Sequence, residues 1–182
     1  MTDKQLVRAC LKGDLKAQKQ LYVIYASRMK GICIRYAYNH EQAEDMLQEA
    51  FIRVFTKMHM YKSDGPLGAW IRRIVVNTAA EIYRKEKKFL ENSEIEGKEY
   101  EFRLNDFIIE QLAADDLLEK IQKLPDGYRV VFNLYAIEGY SHKEIAEQLN
   151  ISENTSKSQY SRARAAIRKM IENEIIYSDK AV

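Results

Sequence analysis

Residues 141–168 most constrain what this chain can fold into. Ser141 stands just before a run with helical spacing, and Glu144, three residues on, completes a capping box. Ile145, Ala146 and Leu149 recur at helical intervals and predict one inward face. Asn150 falls where the chain must turn, and asparagine tolerates a left-handed backbone better than most residues. Ser152 then caps a second helix, with Tyr160, Ala163 and Ile167 as its inner stripe. Residues 152–170 hold five Lys or Arg against one Glu, a net of +4. A cap, a turn, a second cap and a basic helix form the pattern of a helix-turn-helix, whose second helix enters a DNA major groove. An ordinary helical hairpin with a solvated basic face shares these signals, so the remainder of the chain has to decide.

Composition sets the class. Only seven Gly and two Pro occur in 182 residues, too few turn-formers for sheets, so the chain is expected to be all-α. A hydrophobic share of 46% is enough for packed cores. No apolar run approaches the ~18 residues that span a bilayer, and the N-terminal residues open no secretory signal. Direct membrane insertion is therefore not expected, and the expected address is cytoplasmic. Cys10 and Cys33 are too few for a disulfide framework or a zinc site and read as buried free thiols. His40, His59 and His142 are isolated from cysteine and from each other, and neither a Gly-rich phosphate loop nor a nucleophile elbow is present. The expectation is a non-enzyme with no cofactor, no metal and no small-molecule substrate.

Net charge is +2, which informs only when divided along the chain. Residues 41–49 hold four acids and no base, and residues 70–88 hold six bases against two acids. Residues 89–126 hold eleven acids against four bases, a net of −7. Two basic helices flanking an acidic middle suggest two separate contacts with a polyanion and a connector that avoids it.

From the N-terminus, a short helix over residues 6–12 stops near Gly13, and a longer one over residues 15–38 places Leu21, Ile24, Tyr25 and Ile32 on one face. A third helix carries an unbroken apolar stripe of Leu47, Ala50, Phe51, Val54, Phe55 and Met58, opposite Asp45, Gln48, Glu49 and Arg53. Residues 61–68 read as a loop, with Asp64-Gly65 and Gly65-Pro66 in succession. The next helix buries Ile71, Ile74, Val75, Thr78, Ala79 and Ile82 and presents Arg73, Asn77, Glu81 and Arg84, extended by Lys85, Lys87 and Lys88. Residues 89–97 read as acidic linker, with weak apolar spacing at Phe102, Leu104, Phe107, Ile108 and Leu112. Firm spacing resumes at Leu117, Leu118, Ile121 and Leu124, followed by a Pro125-Asp126-Gly127 turn and a helix with Val130, Val131, Leu134, Tyr135 and Ile137. The expected architecture is two small helical domains, residues 1–88 and 115–182, joined by an acidic linker at residues 89–114, the second containing the helix-turn-helix.

Three blocks now carry a resemblance: residues 43–55, residues 70–85, and residues 124–164. In this order, with an acidic linker between the last two, the chain resembles a bacterial RNA polymerase sigma factor of the sigma-70 family, extracytoplasmic-function type, along nearly its whole length. The resemblance implies a promoter-recognition factor whose partners are core RNA polymerase, double-stranded and melted promoter DNA, and an anti-sigma factor. It implies that Asp45, Gln48, Glu49 and Arg53 dock on a basic coiled coil of core polymerase. Trp70, Arg73, Asn77, Arg84 and Lys85 would serve the minus-10 element, Asn77 reading a flipped base and the basic residues holding phosphates. Trp70 would be a wedge at the strand junction or, as the one Trp of the chain and with slightly more weight, part of the core. Thr155, Lys157, Ser158, Gln159, Ser161 and Arg162 would face the minus-35 major groove. Between residues 88 and 115 a relaxed coil spans ~30 Å and an extended one ~90 Å, against ~70 Å for two elements about two duplex turns apart. Glu81 stands where the family usually has Asp, while Asn150 and Asn154 stand where it often has Gly. The phrase over residues 154–159 looks most like factors from the Bacteroidota, whose usual partner is a membrane-bound anti-sigma protein. The competing reading is a stand-alone helix-turn-helix regulator, which leaves residues 70–88 unexplained.

Overall fold

The computed structural model describes residues 2–92 and 114–179, and every regular element among them is helical. The chain divides into two compact units, Met1–Ile82 and Tyr83–Val182, with the division falling inside one long helix.

The first unit contains α1 (Asp3–Leu11), α2 (Leu15–Tyr36), α3 (His40–Thr56), a single 3-10 turn (Met58–Met60) and the start of α4 (Leu67–Asn92). Local chemistry sets each boundary. Thr2 and Gln5 close a capping box over α1. Gly13, at φ 79°, takes the left-handed conformation after α1. Asp14 Oδ1 accepts the N–H groups of Lys16 and Ala17 at 2.8 and 3.2 Å, and Asn39 Oδ1 accepts that of Gln42 at 2.8 Å. The core joins Leu21, Met29, Ile32 and Cys33 of α2 to Met46, Leu47, Ala50, Phe51 and Val54 of α3, and to Leu67, Ile71, Val75 and Ala79 of α4. Each large apolar side chain so enclosed stabilises the fold by ~1.5 to 3 kcal/mol before conformational entropy is subtracted.

Three expectations for this half need correction. Ile24 is 53% exposed; the buried set Ala17, Leu21, Met29, Ile32, Cys33 and Tyr36 is centred on the other flank of Leu21. The loop is shorter than residues 61–68, because α4 begins at Leu67, which is fully buried. The Pro66 carbonyl accepts the N–H groups of Ala69 and Trp70 at 3.1 and 3.3 Å, and proline ahead of a first turn has no N–H to lose. Helix α4 also runs on to Asn92, past the expected linker start at Phe89, since nothing in residues 81–92 is a helix breaker. The apolar spacing noted at Phe102, Leu104, Phe107, Ile108 and Leu112 lies outside the described residues.

The second unit comprises α5 (Ala114–Gln122), α6 (Asp126–Phe132) with a π-helical continuation (Asn133–Ile137), α7 (His142–Leu149) and α8 (Glu153–Asp179). Ile121, Leu124, Val130, Val131, Leu134, Ile145, Leu149, Ala163 and Ile167 are its buried apolar residues. Leu117, expected inside, is 46% exposed, at the outer edge of the α5 stripe.

A buried charge ties α5 to α6. Arg129 is almost wholly enclosed and donates from Nη1 to the carbonyls of Gln122 and Leu124 at 3.3 and 3.2 Å, and from Nη2 to Asp126 Oδ1 at 2.6 Å. Burial pushes the guanidinium pKa down, and Asp126 opposes that shift. The C-terminal carbonyls of α5, which the helix itself cannot satisfy, thereby gain donors. Arg129→Ala is expected to destabilise this unit by about 3 kcal/mol in urea unfolding, because it strips partners from buried carbonyls.

Both cysteines are buried and unpaired. Burial raises the Cys10 thiol and drives Cys33 up to about 12. In native protein at pH 8, Cys33 is therefore expected to resist iodoacetamide and to label only at the rate of unfolding.

Candidate nucleic-acid interfaces

The helix-turn-helix is closed by the bonds its sequence implies. Ser141 N–H donates to Glu144 Oε2 at 2.8 Å, and Ser141 Oγ accepts the Glu144 N–H at 3.2 Å. Asn150 adopts φ 54°, ψ 50°, and the Ile151 N–H returns to the Ala146 carbonyl at 3.0 Å. Ser152 Oγ accepts the Thr155 N–H at 2.9 Å and starts α8. Sequence reasoning missed the pin between the two helices. Ser156 is fully buried, with Oγ 2.9 Å from His142 Nδ1 and hydrogen-bonded to it. The His142 ring stacks on Tyr135 at 4.2 Å and 12°, and Tyr135 packs on Tyr160 at 4.5 Å. Its signal was present: Ser156 lies one turn before Tyr160, on the stripe that continues through Ala163 and Ile167.

The expected groove-facing residues of α8 divide into two sets. Lys157, Ser158, Ser161 and Arg162 are exposed. Lys157 Nζ pairs with Glu153 at 2.6 Å, Ser158 Oγ donates to the Thr155 carbonyl at 3.0 Å, and Arg162 Nη1 lies 3.5 Å from Tyr128 Oη. Thr155 and Gln159 are half-buried. The Thr155 hydroxyl shares a 2.8 Å hydrogen bond with Ser152, and the Gln159 amide lies over Gly127, where an added Cβ would come within 3.0 Å of Nε2.

On α4 the spacing of Trp70, Arg73, Asn77 and Arg84 gathers them on one side of the helix. Arg73, Asn77, Arg84 and Lys85 are exposed, while Val75, Val76, Thr78, Ala79 and Ala80 beside them are buried. The Thr78 hydroxyl donates to the Ile74 carbonyl at 2.8 Å, which disposes of the one polar group on the buried side here. Trp70 is half-buried, neither core nor free: its ring lies 5.5 Å from that of Tyr61, inclined by 51°. Tyr61 Oη in turn donates to the Gly65 carbonyl at 2.5 Å and holds the loop against the head of α4. Gly68 allows the close approach of Tyr25, whose ring would stand 3.0 Å from a Cβ.

The third set lies on α3. Asp45 and Gln48 are exposed, but Glu49 and Arg53 turn toward α4. Arg53 Nε donates to Glu49 Oε1 at 2.9 Å, and Nη1 to Glu81 Oε2 at 2.5 Å. Glu81 first, and then Glu49, hold the guanidinium proton more tightly than usual, against the opposing effect of burial. Among the described residues no cluster of His, Cys, Asp and Glu is arranged to hold a metal ion, and no helix is long and apolar enough to cross a membrane.

Comparison with known proteins then decides the family. The family model described as Sigma-70 region 2 matches residues 21–89, and Sigma-70, region 4 matches residues 114–167. The ECF RNA polymerase sigma factor SigW of Bacillus subtilis is 31% identical over 182 residues, an alignment covering 94% of this chain and 97% of that protein. This chain belongs to the extracytoplasmic-function sigma factors. The RNA polymerase sigma-H factor of Pseudomonas aeruginosa is 26% identical, across 93% of this chain and 94% of its own length. For the fold, the sigma factor RpoE of Bartonella quintana, solved with the anti-sigma factor NepR, superposes with a TM-score of 0.51 at 21% identity, over 87% of this chain and 98% of that one.

In this sigma factor the region 2 match spans the acidic side of α3 and the Arg73–Asn77 side of α4, and the region 4 match spans the helix-turn-helix. Fold and surface are separable within region 4. Ser141→Ala is expected to cost about 1 kcal/mol of stability by loss of its cap, whereas the exposed Arg162→Ala stays within about 0.5 kcal/mol of wild type in the same denaturation measurement.

Proposed function

We propose that this sigma factor reads the minus-10 element with α4 and the minus-35 element with α8, and docks on core polymerase through α3. As a member of its family it binds core RNA polymerase, recognises the minus-35 and minus-10 promoter elements and helps melt the DNA for transcription initiation. It performs no chemistry of its own and works where the polymerase works, in the cytoplasm.

One observation supports the division of labour most strongly: Arg73 and Asn77 stand exposed on a stretch of α4 whose opposite side, at Ile71, Val75 and Ala79, is fully enclosed, and Arg84 continues their side. Such a helix can meet a strand without losing its place in the fold. Asn77 offers both a donor and an acceptor to a base edge, and Trp70 with Tyr61 provides an aromatic wall one to two turns away. Extruding a base costs a few kcal/mol, returned by enclosure and by phosphate contacts from Arg73, Arg84 and Lys85. On α8, Lys157, Ser158, Ser161 and Arg162 form the reading set, with Thr155 beside the Ser152 cap and Gln159 supporting it from the fold side. On α3, Asp45 and Gln48 lead the docking surface, with Glu49 at its edge. An anti-sigma factor, as found with RpoE in its co-crystal, is the expected restraint on these surfaces.

Run-off transcription with purified core polymerase on a genomic fragment pool tests this reading. Specific transcripts are expected only with the sigma factor present. Asn77→Ala and Arg162→Ala should each lower them by roughly tenfold or more, as the loss of one base-edge contact does, without loss of core binding. Core binding with no start site, or transcripts indifferent to both substitutions, would remove α4 and α8 as the reading helices.

A further inference from the structure

Several polar groups expected in the minus-35 groove are engaged within the fold. Lys157 Nζ is drawn sideways to Glu153 at 2.6 Å, and Ser158 Oγ turns back to the Thr155 carbonyl at 3.0 Å. Gln159, whose amide suits an adenine edge, is half-buried over Gly127. The rotation of α8 shows which residue stands in its place. Ser156, Ala163 and Ile167 mark the gripped side, and at 100° per residue the opposite direction passes within about 20° of Asn154, Ser158 and Ala165. All three are exposed. Ala165 has no polar group to offer a base and the Ser158 hydroxyl proton is committed, whereas the Asn154 amide carries a donor and an acceptor side by side. Asn154 is also the second residue of α8, and the N-terminal residues of a recognition helix are those that meet base edges. Its backbone is held by the Ser152 cap, which accepts the N–H of the next residue, Thr155, at 2.9 Å.

We propose that Asn154 is a specificity-determining residue of the minus-35 interface, its amide pairing with the major-groove edge of an adenine. Nδ2 donates to N7, and Oδ1 accepts from the N6 amino group. The inference rests on α8 as the minus-35 reading helix and adds to it a residue and the base it selects. Arg162 reads separately, because eight residues of helix put ~12 Å between its level and that of Asn154.

The test uses holoenzyme assembled from the full chain and core polymerase. It is bound to a promoter fragment from the run-off experiment whose minus-35 segment has been randomised, and the bound fraction is sequenced. Wild-type protein is expected to prefer adenine at one base pair by about tenfold. Asn154→Ala should level that preference alone; alanine is the stronger helix former, so the variant keeps its fold. Asn154→Asp keeps the shape, adds a charge that a helix N-terminus favours, and replaces the donor by an acceptor. It should move the preference at the same base pair to cytosine, whose N4 amino group donates. Arg162→Ala should level a different base pair. Asn154→Ala that weakens all sequences alike, as loss of a phosphate contact does, overturns the proposal, and so does a levelled preference for any base other than adenine. A change on Arg162→Ala with none on Asn154→Ala removes Asn154 and leaves α8 as the reading helix. Preferences indifferent to both substitutions remove α8 itself, and the proposal with it.

Discussion

A helix proposed to read nucleic acid has to be gripped along one side and bare along the other, and α4 and α8 are both held in that way. In α4 the grip is Leu67, Ile71, Val75 and Ala79, none of which reaches solvent. In α8 it is Ser156, Ala163 and Ile167. Close packing on one side fixes rotation about the helix axis, because interiors pack like crystals and tolerate little slippage. Once rotation is fixed, the direction in which Asn77 or Arg162 points is decided by residues that touch no DNA. The remaining helices serve this purpose: α2 and α3 enclose α4, and α5 to α7 enclose α8.

Apolar burial alone leaves such a helix free to slide by small amounts, and three polar devices remove that freedom. Arg129 bonds two carbonyls at the end of α5. The His142–Ser156 hydrogen bond joins the first turn of α7 to the first turns of α8. Arg53 joins α3 to α4 through Glu49 and Glu81. Each is directional, and a buried polar group that loses its partner costs more than the bond contributed, so competing packings are penalised. Stability and specificity of arrangement thus come from different parts of the same cores.

What could be read from the sequence follows from the range of the interactions involved. The capping box at Ser141 and Glu144, the left-handed Asn150 and the Ser152 cap are local, involving partners within a few residues, and all three occur as expected. The α3 stripe through Leu47, Ala50, Phe51 and Val54 was legible because it depends on period alone. Long-range partners were not. Nothing near Arg53 in the sequence announces Glu81, and nothing near Arg129 says that its charge is enclosed. Ile24 and Leu117 obey helical spacing yet face outward, because spacing defines a stripe and only the neighbouring helices decide which flank they cover. At the interfaces the basic exposed residues were legible as a set, whereas the inward turn of Gln159 and Arg53 depended on partners distant in sequence, Gly127 and Glu81.

On the proposed reading the fold presents two reading surfaces and one docking surface, each on a different helix, in a chain that belongs to the extracytoplasmic-function sigma factors. Position-specific photocross-linking tests that arrangement most directly. A photoreactive residue is placed at 73, 162 or 45 in turn, in holoenzyme on a promoter fragment. Position 73 is expected to capture the minus-10 strand, position 162 the minus-35 duplex about two helical turns upstream, and position 45 polymerase protein and no DNA. Capture of one DNA segment by both 73 and 162, or of DNA by position 45, would contradict the account.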